Sequence, residues 1–205
     1  MNSSRSLRQR RVTATIGVTL LAIVVVLSVI VIGQLPPAAA SDRTITAPLM
    51  DGSVGEDDGL IHQEDQISVF DQTPAVANLD PELLAAVREA AATAEQEGVR
   101  MHVNSGWRSP AYQEALLSDA VERYGSAEEA ARWVTTADNS EHVSGDAVDL
   151  GPVAAQDWLS QRGAEFGLCQ IYANERWHFE LRPAAVANGC PVMYEDPTAD
   201  PRTQR

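Results

Sequence analysis

Two short segments concentrate side chains capable of hydrolytic chemistry. One reads Ser140-Glu141-His142-Val143-Ser144-Gly145-Asp146-Ala147-Val148-Asp149, the other Glu175-Arg176-Trp177-His178-Phe179-Glu180-Leu181. The chain has only four histidines, and two of them lie here. His142, Asp149 and His178 form a donor set of two imidazoles and one carboxylate. Three protein ligands of this kind leave a tetrahedral zinc ion one position for water, as catalytic zinc sites do. Zinc lowers the pKa of such a water to about 7 and polarises a carbonyl oxygen. A neighbouring glutamate then has a task, taking the proton from that water and passing it to a leaving amine. Spacing alone leaves both Glu175 and Glu180 eligible for it.

These residues need elements to hold them. Gly145 lies between His142 and Asp149 and breaks any helix joining them, so a loop running into a strand over Asp146–Leu150 is predicted. On that strand Asp149 and Ala147 point one way, Val148 and Leu150 the other. A carboxylate placed among such apolar neighbours is costly unless a cation or donors meet it. A strand over Arg176–Leu181 puts Trp177, Phe179 and Leu181 on the core face and His178 with Glu180 on the other. Glu175 falls just outside, where a loop can bend it back toward His178.

The remaining pattern supplies a scaffold. Asp80 as N-cap, Pro81 in the first turn and Gly98 as the stop bracket a helix carrying Leu83, Leu84, Val87, Ala91 and Ala94 at helical spacing. Val99–Val103 alternates as a strand does. Ser109-Pro110 opens a second helix that Gly125 closes, and Ser126 caps a short third one through Trp133. A helix over Ala154–Ala164 and a strand over Leu168–Tyr172 follow. Helices first and strands later give an α+β domain. Trp133 and Trp158 read as packing residues, and His62 and His102 as structural or incidental.

The string Ser-x-His-x-x-Gly-x-Ala-x-Asp from Ser140 to Asp149, followed by Glu175-x-Trp177-His178, resembles the VanY-type D-alanyl-D-alanine carboxypeptidase family, within the hedgehog and DD-peptidase fold group. Ser105-Gly106-Trp107-Arg108-Ser109 resembles that family's Ser-Gly-Tyr-Arg-Ser segment. The three motifs stand in the family's order, and the similarity covers about residues 75–192. The resemblance implies a single DD-peptidase-like domain with a small antiparallel sheet and flanking helices. It implies Zn2+ on His142, Asp149 and His178, Glu175 as the catalytic base, and Arg108 as the cation that meets the carbonyl oxygen and its tetrahedral intermediate. Ser140 and Gln113 match positions near substrate. Arg176 stands where the family usually has Pro, and Trp107 where it commonly has Tyr.

Composition narrows the alternatives. All 15 basic residues are Arg, so a Ser-x-x-Lys penicillin-binding site is excluded. Arg5, Arg8, Arg10 and Arg11 precede an uncharged apolar run from Val12 to Gly33. Beyond that run 11 arginines face 29 acids, a surplus of 18 negative charges. Such a domain repels nucleic acid, whose binding depends on cationic side chains displacing counterions. The apolar run reaches the roughly 20 residues that span a bilayer as a helix, and the arginines orient its C-terminal side outward. Cleavage near Ala40 as a signal peptide is the alternative. Either route exports the domain, where Cys169 and Cys190 are expected to pair and to contribute about 3 kcal/mol through loop closure.

The expected layout is therefore a basic cytoplasmic tail over 1–11 and a transmembrane anchor or signal over 12–33. A flexible acidic linker over 34–75, the zinc domain over 76–194 and a disordered tail over 195–205 follow. The expected protein is a monomeric peptidoglycan enzyme at the cell membrane that removes the terminal D-Ala from stem peptides. Its alternatives are another peptidoglycan endopeptidase or D,D-dipeptidase, or a non-catalytic zinc-containing wall-binding ectodomain.

Overall fold

The computed structural model describes residues 54–204. The first long helix, here α2 (Pro81–Gln96), starts where Asp80 accepts hydrogen bonds from the amides of Glu82 and Leu83, with Pro81 in the first turn. A one-turn helix, α1 (Pro74–Ala77), precedes it. Then come β1 (His102–Ser105), α3 (Pro110–Tyr124), α4 (Ala127–Ala130), α5 (Glu141–Ser144), β2 (Ala147–Gly151), α6 (Val153–Arg162), β3 (Leu168–Gln170), β4 (His178–Leu181) and α7 (Ala185–Asn188). Ser109 caps α3 through Tyr112 N, and Gly125 ends it in the left-handed conformation.

The sheet is antiparallel throughout, in the order β1-β2-β4-β3. Its central strands β2 and β4 pair Val148 with Phe179 and Asp149 with His178. Directly opposed antiparallel residues present their side chains on the same face. One face thus carries Val148, Leu150 and Phe179 into a core with Leu83, Val87, Ala90, Ala91 and Ala94 of α2 and Trp158 and Leu159 of α6. The other face carries Asp149 and His178. Phe179 is fully buried. Truncation by Phe179→Ala is expected to cost about 3–5 kcal/mol, read as a lower urea midpoint at unchanged slope.

Several sequence expectations are refined here. His142 sits on the one-turn helix α5 rather than in a loop, with Gly145 as its left-handed end at φ 87°. A Cβ on Gly145 would lie 2.7 Å from the Asn78 carbonyl oxygen, so the α5–β2 junction fits only glycine against the chain before α2. The strand expected over 99–103 is shifted toward Ser105, and β3 and β4 are shorter than read. Trp158 packs in the core, and Trp133 stacks on Tyr124 with ring centroids 5.9 Å apart. Cys169 and Cys190 form the expected disulfide.

Two boundaries are corrected. Residues 54–75, read as part of the linker, belong to the domain: Val69 and Ala75 are buried, and Val103 N donates to Ile67 O at 2.8 Å. Asp58 accepts from Ser109 Oγ at 2.7 Å, and a Cβ on Gly59 would clash with the Trp107 carbonyl oxygen at 2.0 Å. Scattered apolar residues among acids carry no periodicity, so only their partners elsewhere in the chain reveal their role. Residues 195–204, read as tail, are likewise docked. Asp196 and Asp200 are buried, and two short 3-10 turns, Pro197–Ala199 and Pro201–Gln204, carry the chain across the site's outer side. The Val12–Gly33 segment lies outside the described residues, among which no helix is long and apolar enough to cross a membrane.

Candidate metal and catalytic centre

The β2–β4 register sets Asp149 beside His178, and α5 brings His142 to both. His142 Nε2 and His178 Nδ1 lie 3.4 Å and 3.3 Å from Asp149 Oδ1. One ligand atom from each of the three residues lies within 4.8 Å of the others, and all three residues are buried. Asp149 Oδ1 and His178 Nδ1 have no hydrogen-bond partner among the described residues.

The outer contacts fix which nitrogen faces inward. His142 Nδ1 lies 2.8 Å from the Gly106 carbonyl oxygen. A carbonyl only accepts, so Nδ1 carries the proton and Nε2 presents a lone pair. His178 Nε2 lies 3.3 Å from Glu180 Oε1, so Nε2–H donates to the carboxylate and Nδ1 faces Asp149. Imidazoles locked in this way by an outer acceptor are characteristic of metal ligands. Once His178 Nδ1 gives up its proton, three acceptors face one buried space, and a divalent cation satisfies them together. Two imidazoles and a carboxylate suit zinc.

Electrostatics agree with that fit. Burial opposes ionisation of Asp149, but His142, His178 and Arg108 hold its carboxyl well below the usual range. Burial and the Arg108 charge lower the His142 imidazole. Burial also disfavours charge on His178, yet in the ion-free protein Asp149 and Glu180 outweigh it and lift the imidazole to about 10. Proton and metal therefore compete for His178 Nδ1.

Arg108 approaches the same carboxylate from the side opposite the imidazoles. Its NH2 donates to Asp149 Oδ2 at 3.1 Å, its Nε to Ser105 Oγ at 2.8 Å and its NH1 to Gln113 Oε1 at 3.1 Å. A guanidinium has five N–H donors, so two are left for a ligand. Gln113, expected near substrate, is buried and committed at both ends, its amide nitrogen donating to Thr135 O at 2.9 Å. It braces Arg108. Ser140 lies at the start of α5, two residues before His142.

Glu175 is bent back as expected. His178 N donates to its carbonyl at 3.1 Å, and Glu175 Oε2 stands 3.8 Å from His178 Nδ1. Burial, reinforced by the Asp149 charge, pushes its carboxyl up to about 7. The alternative base, Glu180, is fully buried and meets His178 at Nε2, the nitrogen turned away from the cluster. Glu180 therefore sits behind the His178 ring, away from the inward-facing atoms. Arg176 points outward and pairs with Asp157 on α6, leaving the Glu175 turn intact. The Gly106 carbonyl, a backbone group, has no signature in the sequence. The strand pattern puts His178 and Glu180 on one face, and the structure adds their contact.

A family model described as VanY, D-alanyl-D-alanine carboxypeptidase, matches residues 76–184. The chain belongs to this family. VanY membership makes it a peptide-hydrolysing enzyme, and the proposed ligands, Glu175 and Arg108 all fall inside the matched span. None of the curated proteins compared is similar enough to match. Among solved structures, VanYB in complex with D-alanine-D-alanine is similar at 24% identity with a TM-score of 0.50, covering 52% of this chain and 74% of that one. An LD-carboxypeptidase, LdcB, is similar at 21% identity and a TM-score of 0.50, over 65% of this chain and 73% of its own. A mutant of the vancomycin resistance D,D-pentapeptidase VanY, in complex with Zn(II), is similar at 23% identity and a TM-score of 0.48, covering 50% of this chain and 72% of that one. The two likenesses at a TM-score of 0.50 establish the shared fold.

Proposed function

We propose that this chain is a zinc-dependent D,D-carboxypeptidase that removes the terminal D-Ala from peptidoglycan stem peptides. The observation that carries the reading is the convergence of His142 Nε2, Asp149 Oδ1 and His178 Nδ1 as inward-facing acceptors. Membership of a D-alanyl-D-alanine carboxypeptidase family supports the substrate class. His142, Asp149 and His178 would hold the zinc, which would supply Lewis acidity to the attacking water and to the scissile carbonyl. Glu175 takes the proton of the attacking water on its carboxylate and delivers it to the nitrogen of the departing D-Ala. Arg108 aims its free N–H donors at the carbonyl oxygen as negative charge grows there. Asp149 Oδ2, Ser105 and Gln113 keep the guanidinium from swinging away. Ser140, two residues before His142 in the chain, is assigned to the substrate's polar backbone.

The same reading places the domain outside the cell membrane. The arginine-flanked apolar segment 12–33 supports an anchor, and the Cys169–Cys190 disulfide suits an oxidising compartment.

The test is mass spectrometry of a stem pentapeptide incubated with the purified chain and zinc. Release of one D-Ala is expected, with loss of turnover on chelation and recovery on adding zinc back. Release of a dipeptide, or cleavage inside cross-linked muropeptides only, would reassign the scissile bond. A chain that takes up zinc but cleaves none of these would be a wall-binding ectodomain.

A further inference from the structure

The span matched by the family ends at residue 184, yet a side chain well beyond it reaches the metal cluster's support. Arg202, on the final 3-10 turn, donates from NH1 to Glu180 Oε2 at 2.8 Å and from NH2 to Glu180 Oε1 at 3.1 Å. Its NH1 also donates to Glu141 Oε1 at 2.8 Å. Its Nε donates to both oxygens of Asp200, which is fully buried. Asp200 in turn accepts from Tyr172 OH at 3.1 Å, and the Tyr172 ring lies 5.1 Å from the His178 ring.

These contacts form a chain leading to the metal ligands. A forked guanidinium fixes a carboxylate in plane as well as in position. Arg202 thereby holds Glu180 Oε1 toward His178 Nε2, the contact that turns His178 Nδ1 inward. Through Glu141 it also ties down α5, whose next residue is the ligand His142. One side chain thus links the two elements that must stay in register for the cluster to close. Arg182 pairs with Glu180 Oε2 but donates nothing to Oε1. Without Arg202, the Oε1 atom facing His178 loses its cationic anchor.

We infer that Arg202 is a positioning residue of the metal centre, orienting His178 through Glu180, so that the C-terminal segment is a working part of the site. The inference rests on the proposed zinc reading. Outer partners of metal ligands are typically worth about 10–100-fold in metal affinity.

The experiment compares full-length wild type with Arg202→Ala, Arg202→Lys and Arg132→Ala. The last breaks another anchor of the same segment, the 2.8 Å pair of Arg132 Nε with Asp196 Oδ2, without touching Glu180. Zinc affinity is read by chelator competition, and the Co(II)-substituted visible spectrum reports ligand geometry. Arg202→Ala is expected to weaken zinc about 10–100-fold and to shift the cobalt bands. Arg202→Lys, which keeps the charge and loses the fork, falls between it and wild type, and Arg132→Ala stays within about twofold of wild type. Arg202→Ala with unchanged affinity and spectrum would overturn the inference. So would Arg132→Ala weakening zinc as much as Arg202→Ala, since docking alone would then account for the effect. Should Arg202→Ala not fold, Arg202→Lys decides, and wild-type affinity in that variant counts against the role. Wild-type chain that takes up no zinc overturns the metal centre itself, a failure separate from these.

Discussion

Glu175→Gln is expected to hydrolyse a stem pentapeptide about 10²–10⁴-fold more slowly than wild type, the usual range for a lost general base, while binding zinc as tightly. Glutamine keeps the shape of the side chain and cannot take up a proton. Glu175 stands beside the cluster, with Oε2 3.8 Å from His178 Nδ1, but is not one of its three convergent ligands. The metal should therefore stay while kcat falls and KM changes little. Burial lifts the carboxyl to about 7 in the ion-free protein, and a divalent cation beside it would lower that value toward the carboxylate form a base needs. Wild-type kcat in a zinc-loaded Glu175→Gln protein would remove Glu175 from the mechanism. Glu180 offers no substitute, being fully buried behind His178.

His178→Ala should lose both zinc and turnover. A structural zinc gains about 10–16 kcal/mol from its full ligand set, so each ligand accounts for about 3 kcal/mol or more, a factor of at least about 100 in affinity. The loss also leaves Glu180 without its imidazole donor, although Arg182 and Arg202 still neutralise it. The wild-type protein should show a matching pH dependence. With its folded pKa near 10 in the absence of metal, His178 is protonated at neutral pH and must release that proton to ligate. Apparent zinc affinity therefore rises with pH, by about tenfold per unit while His178 is the group losing its proton, and flattens once pH exceeds that value. Calorimetry in buffers of different ionisation enthalpy should count about one proton released at pH 8. Zinc affinity independent of pH between 6 and 9 would mean that no proton on His178 stands in the way of the metal.

Most of the centre was legible because its residues lie in two short runs whose local order matters. Alternation along β4 put His178 and Glu180 on one face, and Gly145 marked a break before β2. The cap and stop of α2 were local as well, since Asp80, Pro81 and Gly98 act on the backbone within a turn or two of themselves. The roles of Gln113 and Glu180 were not legible. Each depends on what stands across from it: Gln113 on Arg108 and Thr135, Glu180 on His178, Arg182 and Arg202. Residues 54–75 and 195–204 were misread for a related reason. Their acids and isolated apolar side chains look unable to bury themselves, and alone they could not. Ile67 finds an edge at Val103, Asp58 finds Ser109, and Asp200 finds Tyr172 and Arg202.

By itself, then, the amino-acid order determined the ligand types, the helix ends, the two-faced strands and the α+β class, because each follows from the chemistry of a side chain and its near neighbours. Only the tertiary structure decided which imidazole nitrogen turns inward, which glutamate faces the cluster, and that the chain's last turn closes over its far side. Those choices are made by contacts between residues far apart in the sequence, through hydrogen bonds whose direction depends on where the backbone places each partner.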